Sequence, residues 1–171
     1  MIITETNLQS FFYEKLTQIN KLSNSKIREE LIYYLSTILN EYTLSSNFFE
    51  SVDGKNYEKV ISLKFLEASN LSKEKQKISY KEIGDVTLFT CGFFSKSVEK
   101  KMINKDFYLG LGQSSYLMLQ DLIPDYYGIP AMFKNLAGFS PQLVNLLSLM
   151  AQESQISQHF SMPIPNTIPN K

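Results

Sequence analysis

Ile83-Gly84-Asp85-Val86-Thr87-Leu88-Phe89-Thr90-Cys91-Gly92-Phe93-Phe94 is the stretch whose reading decides the fold. Ile78, Ile83, Val86, Phe89 and Phe93 recur on one face at helical spacing, so the segment reads as a helix. Its composition resists that reading. Two glycines each cost about 1 kcal/mol relative to alanine in a helix interior. A carboxylate, Asp85, lies between apolar neighbours, and the threonines and phenylalanines lower the intrinsic propensity further, so burial must hold this end together. Gly84 and Gly92 sit roughly 80° apart around a helix and need not share one face. Close approach of another backbone, or a helix break at Gly92, would justify them.

The next helical pattern repeats the anomaly. Gly110, Gly112, Ser114 and Ser115 stand among Tyr108, Leu109, Leu111 and Tyr116. The joint reading is a tight helix crossing flanked by Tyr108 and Tyr116, with Gly84, Gly92, Gly110, Gly112 and Ser115 as the packing residues. The competing reading is a pocket in which the glycines make room for a ligand. Phe89, Phe93, Phe94, Tyr108 and Tyr116 would line it, and Asp85 would be its polar group.

The series Gly84-Asp85, Leu88-Phe89, Gly92-Phe93-Phe94, Ser97, Asp106-Phe107-Tyr108, Gly112 and Ser115-Tyr116 resembles a family of small uncharacterised bacterial helical proteins. Phe107 stands where that pattern has tyrosine, and Ser115 where it has alanine. A weaker echo follows at Met132-Phe133-Lys134-Asn135-Leu136 and Phe139. The resemblance implies a bacterial helical domain and attaches no reaction, cofactor or catalytic residue.

Outward from this centre the chain reads as all-α: a single bundle of about six to eight helices over residues 1–160, then a disordered proline-rich tail over 161–171. Leu8, Phe11, Phe12, Leu16 and Ile19 predict a first helix over 7–20. Ile27, Leu31, Tyr34, Leu35, Ile38, Leu39 and Tyr42 form the cleanest amphipathic stripe and predict a second over 26–44. Asp53-Gly54 signals a turn, and a short hairpin over 45–56 is open. A third helix follows from Tyr57, and Ser72 can cap the helix that carries the Gly-Asp segment. A short segment runs from Ser95 or Ser97 to Ile103, and Asp106 caps or opens a helix to Leu122. Pro130 and Pro141 each suit the first position of a helix, predicting one to Ala137 and another over 141–155.

Seventeen basic and seventeen acidic side chains leave no formal net charge, which argues against a general nucleic-acid or polybasic membrane binder. Eight lysines against four acids over 71–105 give a local excess that an acidic partner or plain solvent could meet. One cysteine removes any intramolecular disulfide framework and any multi-cysteine metal site, and one histidine removes multi-histidine sites. The lone thiol suits a reducing cytoplasm. The N-terminus has no basic n-region followed by an apolar run, so no signal peptide is expected. The uncharged stretch 135–152 carries Asn, Ser, Gln and Pro, costly groups in a bilayer, so no membrane span is expected.

No catalytic constellation survives inspection. Asp85 is the one candidate base, to be weighed against a structural role on a tyrosine hydroxyl. Cys91 has no histidine near it, and His159 lies close to the tail. Asp121, Asp125 and Glu153 have too little pattern for a hard-cation site. No metal and no cofactor is expected. Tyr126-Tyr127-Gly128-Ile129-Pro130 is either a partner anchor or a loop folded onto the core. Two functions of different class stay open. One is a non-enzymatic interaction or regulatory module that binds a protein partner or itself through Leu143–Met150. The other is a small-molecule or lipid-type carrier with an apolar pocket near Gly92.

Overall fold

The computed structural model describes residues 5–44, 54–93 and 104–153. These form six helices: α1 (Glu5–Leu22), α2 (Glu29–Leu44), α3 (Gly54–Ala68), α4 (Lys73–Phe93), α5 (Lys105–Leu122) and α6 (Met132–Glu153). Two short strands, β1 (Asp125–Tyr126) and β2 (Ile129–Pro130), pair antiparallel between α5 and α6. The all-α bundle read from periodicity is the observed architecture. Most of the possible hairpin over 45–56, the segment from Ser95 to Ile103, Phe94, His159 and the proline-rich tail lie outside the described residues.

The second half of α4 is the axis of the bundle. Every residue from Ile83 to Phe93 is buried, which is how a segment of weak helix propensity stays helical. α2, α3, α5 and α6 pack around it, and α1 closes over α2 and α6. Thr87 returns its hydroxyl to the Ile83 carbonyl at 2.6 Å, satisfying a polar group where no water reaches.

α4 and α5 run antiparallel in close contact. A Cβ at Gly84 would lie 2.5 Å from the Tyr116 ring, and one at Gly112 would lie 2.8 Å from Thr87. Both glycines are small because a neighbour occupies the space of a side chain. Tyr108, Gly112, Ser115, Tyr116 and Leu119 form the buried face of α5. Two of the expected packing residues behave otherwise. Gly92 admits Leu147 of α6, whose Cβ would be 2.6 Å from an added one, so the two α4 glycines serve two different helices. Gly110 faces open space, because it lies about 200° around the helix from Gly112.

The α5–α6 connection departs most from expectation. Pro130 sits in β2 and Pro141 lies inside α6, so one long helix replaces the two expected. Tyr127 (φ 50°) and Gly128 (φ 78°) make the two-residue turn, both left-handed as such a hairpin requires. The Asp125 carboxylate accepts the Gly128 N–H at 2.7 Å. Proline inside a helix normally leaves the carbonyl four residues back without its donor. Here Gln113 of α5 donates its side-chain N–H to Ala137 O at 3.1 Å and replaces the lost bond. Gln120, one heptad on, serves the start of α6 by accepting the Phe133 and Lys134 N–H groups, each at 3.1 Å. α5 itself is capped by Asn104, which accepts from the Phe107 N–H, rather than by Asp106.

Most apolar residues of α6 are covered inside the bundle, with Phe139 and Leu149 half-buried. Leu143, Leu146, Leu147 and Met150 are fully enclosed by neighbouring helices.

Candidate functional site

Two places combine tyrosine with carboxylate. The first is the Asp85 cluster at the α4–α5 crossing. Asp85 is 1% exposed, and its Oδ1 accepts the hydroxyls of Tyr34 at 2.7 Å and Tyr116 at 2.8 Å. Lys81, one turn earlier on α4, places its ammonium 2.6 Å from Oδ2. Helical spacing of four aligns the lysine, and the missing side chain at Gly84 lets the Tyr116 ring approach. Burial raises the Asp85 carboxyl above its ordinary 3.8, while Lys81 and the two hydroxyls pull it back. Burial penalises the Lys81 charge, but Asp85 outweighs that and the lysine ends above 10.5. Tyr34 and Tyr116 are pushed well above 10.0, first by burial and then by the Asp85 charge.

This cluster binds its own donors. Both carboxylate oxygens are engaged, and the surrounding rings are packed: Tyr34 meets Phe133 edge-on at 6.2 Å and Tyr116 stacks on Phe133 at 6.1 Å. Of the other expected pocket residues, Phe89, Phe93 and Tyr108 are core, and Phe94 lies outside the described residues. Phe89 stacks between Tyr42 and Phe93, 5.3 Å from each, and Tyr108 is fully buried. Leu147 fills the space beside Gly92. Cys91 is fully buried, with its thiol pushed up to about 12 by burial, far from a reactive thiolate.

The second place contains the Tyr126-Tyr127-Gly128-Ile129-Pro130 segment weighed above as a partner anchor, joined by Tyr13, Tyr33 and Tyr34, which the sequence reading did not connect with it. An open groove of about 730 Å³ lies between α1, α2, the hairpin and the start of α6. Tyr13, Tyr33 and Tyr34 from the first two helices and Tyr126 and Tyr127 from the hairpin line it together with Ile129 and Met132. The rings come in edge-to-face pairs: Tyr13 with Tyr33 at 6.1 Å and Tyr126 with Tyr127 at 4.7 Å. A neighbouring depression of about 530 Å³ shares Tyr13 and Tyr33 and adds Glu14. Glu29 and Glu30, in the first turn of α2, complete the rim. Glu29 accepts the Tyr13 hydroxyl at 2.5 Å, which raises the Tyr13 pKa. Glu30 pairs with Arg28 at 3.2 Å, outside the groove lining.

Tyr34 belongs to both places, since its ring faces the groove and its hydroxyl is held by Asp85. Tyr33 was the missed signal: a large aromatic off the buried stripe of α2 is 58% exposed, and Tyr127 at the hairpin tip is 89% exposed. Asp125 is occupied by Gly128, and Glu153 faces Lys15 at 3.9 Å; the described residues hold no group of three or more His, Cys, Asp or Glu arranged around a common point. No described helix is long and apolar enough to cross a membrane. Comparison of the chain with protein-family models, with curated proteins and with solved structures finds no match.

Proposed function

We propose that the protein is a non-enzymatic binding module whose contact surface is the tyrosine groove. The observation that carries this reading is the convergence of five tyrosines from three separate parts of the chain on one open surface. Tyrosine is over-represented at binding hot spots because its ring offers a large rigid contact and its hydroxyl a polar end. Tyr33 and Tyr127 stay exposed although their rings are large, a placement that folding alone does not favour.

Asp85 takes a structural role in this reading. A general base must reach its substrate's proton, and Asp85 is enclosed with both oxygens occupied. The small-molecule pocket near Gly92 gains no support, because Leu147 occupies the space. Nor does self-association through Leu143–Met150 of α6, whose apolar residues other than the half-buried Leu149 are already enclosed. A regulatory role in a reducing cytoplasm is consistent with the lone buried thiol.

Hydrogen–deuterium exchange on the full chain, with and without a pool of short peptides of mixed charge, tests the reading. Protection is expected in α1, the first half of α2 and the hairpin, and should vanish in a Tyr33→Ala/Tyr127→Ala variant. Protection elsewhere, or none, would sink it.

A further inference from the structure

Charge identifies what the groove accepts. Among the described residues, those lining the groove and its neighbouring depression include Glu14, Glu29 and Glu30 and no lysine or arginine. Two cations that touch lining residues are already committed: Arg28 to Glu30 and Lys81 to Asp85. The Arg28–Glu30 pair is solvent-exposed, and such pairs are worth about 0–1 kcal/mol, so it yields readily to a better partner. Tyrosine faces attract cations through the ring quadrupole, and arginine adds a planar group that stacks on the ring and forks onto a carboxylate. The molecule already uses this attraction once, with the Lys81 ammonium 5.6 Å from the centre of the Tyr34 ring. The groove is an open trough rather than a closed cage, which suits an extended chain laying successive side chains across it, not a small enclosed cation.

We infer that the groove docks an arginine-bearing peptide segment of a partner protein, with guanidinium groups against Tyr33 and Tyr127 and paired to Glu29 and Glu30. This rests on the binding-module reading above and names its ligand class. Part of the remaining lining fits the assignment: the half-buried Ile129 offers apolar surface for the arginine methylenes.

Fluorescence anisotropy with the full chain decides it. The probe is a labelled Gly-Ser dodecapeptide bearing three arginines, and its controls carry glutamine or glutamate at the same positions. The arginine probe should bind at least about tenfold tighter than the glutamine control, weaken with added salt, and show no binding preference in Glu29→Gln/Glu30→Gln. Tyr33→Ala/Tyr127→Ala should weaken binding of every probe while its circular dichroism melt stays that of the parent, since both rings are exposed. Equal binding of all three peptides, lost in the tyrosine variant, would overturn the cationic assignment and leave the module reading standing. Binding indifferent to the tyrosine variant, or no binding of any peptide, would overturn both. Arginine amide alone binding as tightly as the peptide would overturn the extended-chain part.

Discussion

Among the described residues, tyrosine hydroxyls meet carboxylates in two places, at similar distances and with opposite consequences. Tyr34 and Tyr116 reach Asp85 inside the core, and Tyr13 reaches Glu29 at the surface. The inner set has no water to fall back on, so each group depends on the others. The outer pair exchanges one hydrogen bond for another with solvent and contributes little. The same two functional groups thus hold the fold together in one place and are left over for contact in the other. What separates them is the close approach of α4 and α5 at Gly84, which seals Asp85 from water.

The contrast breaks most visibly at the carboxylates. Asp85→Ala leaves two buried hydroxyls without their acceptor and a half-buried ammonium without its partner, and should cost about 2–4 kcal/mol in chemical denaturation. A cost near zero would show that water replaces the carboxylate and that the site is not sealed. A smaller effect separates the sites at high pH. A tyrosine held protonated by folding binds its proton more tightly in the native than in the unfolded chain. Stability therefore falls as pH climbs above 10.0, where the unfolded tyrosines ionise, and Lys81 acts in the same direction above 10.5. Absorbance at alkaline pH should show two tyrosines that ionise only when the helical signal collapses; smooth ionisation of all ten before unfolding would contradict the burial of Tyr34 and Tyr116. The smallest effect compares single hydroxyls. Tyr116→Phe should cost about 1–2 kcal/mol, and Tyr13→Phe less than about 0.5 kcal/mol. Equal losses would erase the distinction.

The inner region was more legible in the sequence than the outer one, for a physical reason. Gly84 beside Asp85 and Gly112 beside Ser115 break local helix rules, and a broken local rule announces a tertiary cause. The crossing and a structural role for Asp85 on a tyrosine hydroxyl follow from that conflict; that the tyrosines are Tyr34 and Tyr116 does not, because one lies on a helix 51 positions away and neither spacing marks the pair. Gly92 was legible as a close approach, but its partner α6 was not, because an angle around one helix does not name the neighbour. Pro141 misled because its remedy is Gln113, twenty-eight positions earlier, and no local pattern records that bond. The groove as a whole escaped because Tyr13 and Tyr33 break no rule where they stand; only its hairpin part, Tyr126-Tyr127-Gly128, stood out as an aromatic turn. Only the meeting of α1, α2 and the hairpin gives them a common address, and the Tyr127-Gly128 turn lacks the Asn-Gly or Asp-Gly pair that announces such hairpins.

Gln120 has a consequence for how this surface varies. Its amide N–H groups hold the carbonyls of Ile123 and Pro124, while its oxygen holds the first amides of α6, so one side chain clasps both feet of the hairpin. Above that clasp Tyr126 is anchored on Phe133 at 4.9 Å and on Tyr34 at 6.0 Å, and only the turn residues Tyr127 and Gly128 project past the scaffold. A change at Tyr127 therefore alters the outer face of the ribbon while the rings beneath keep its aim.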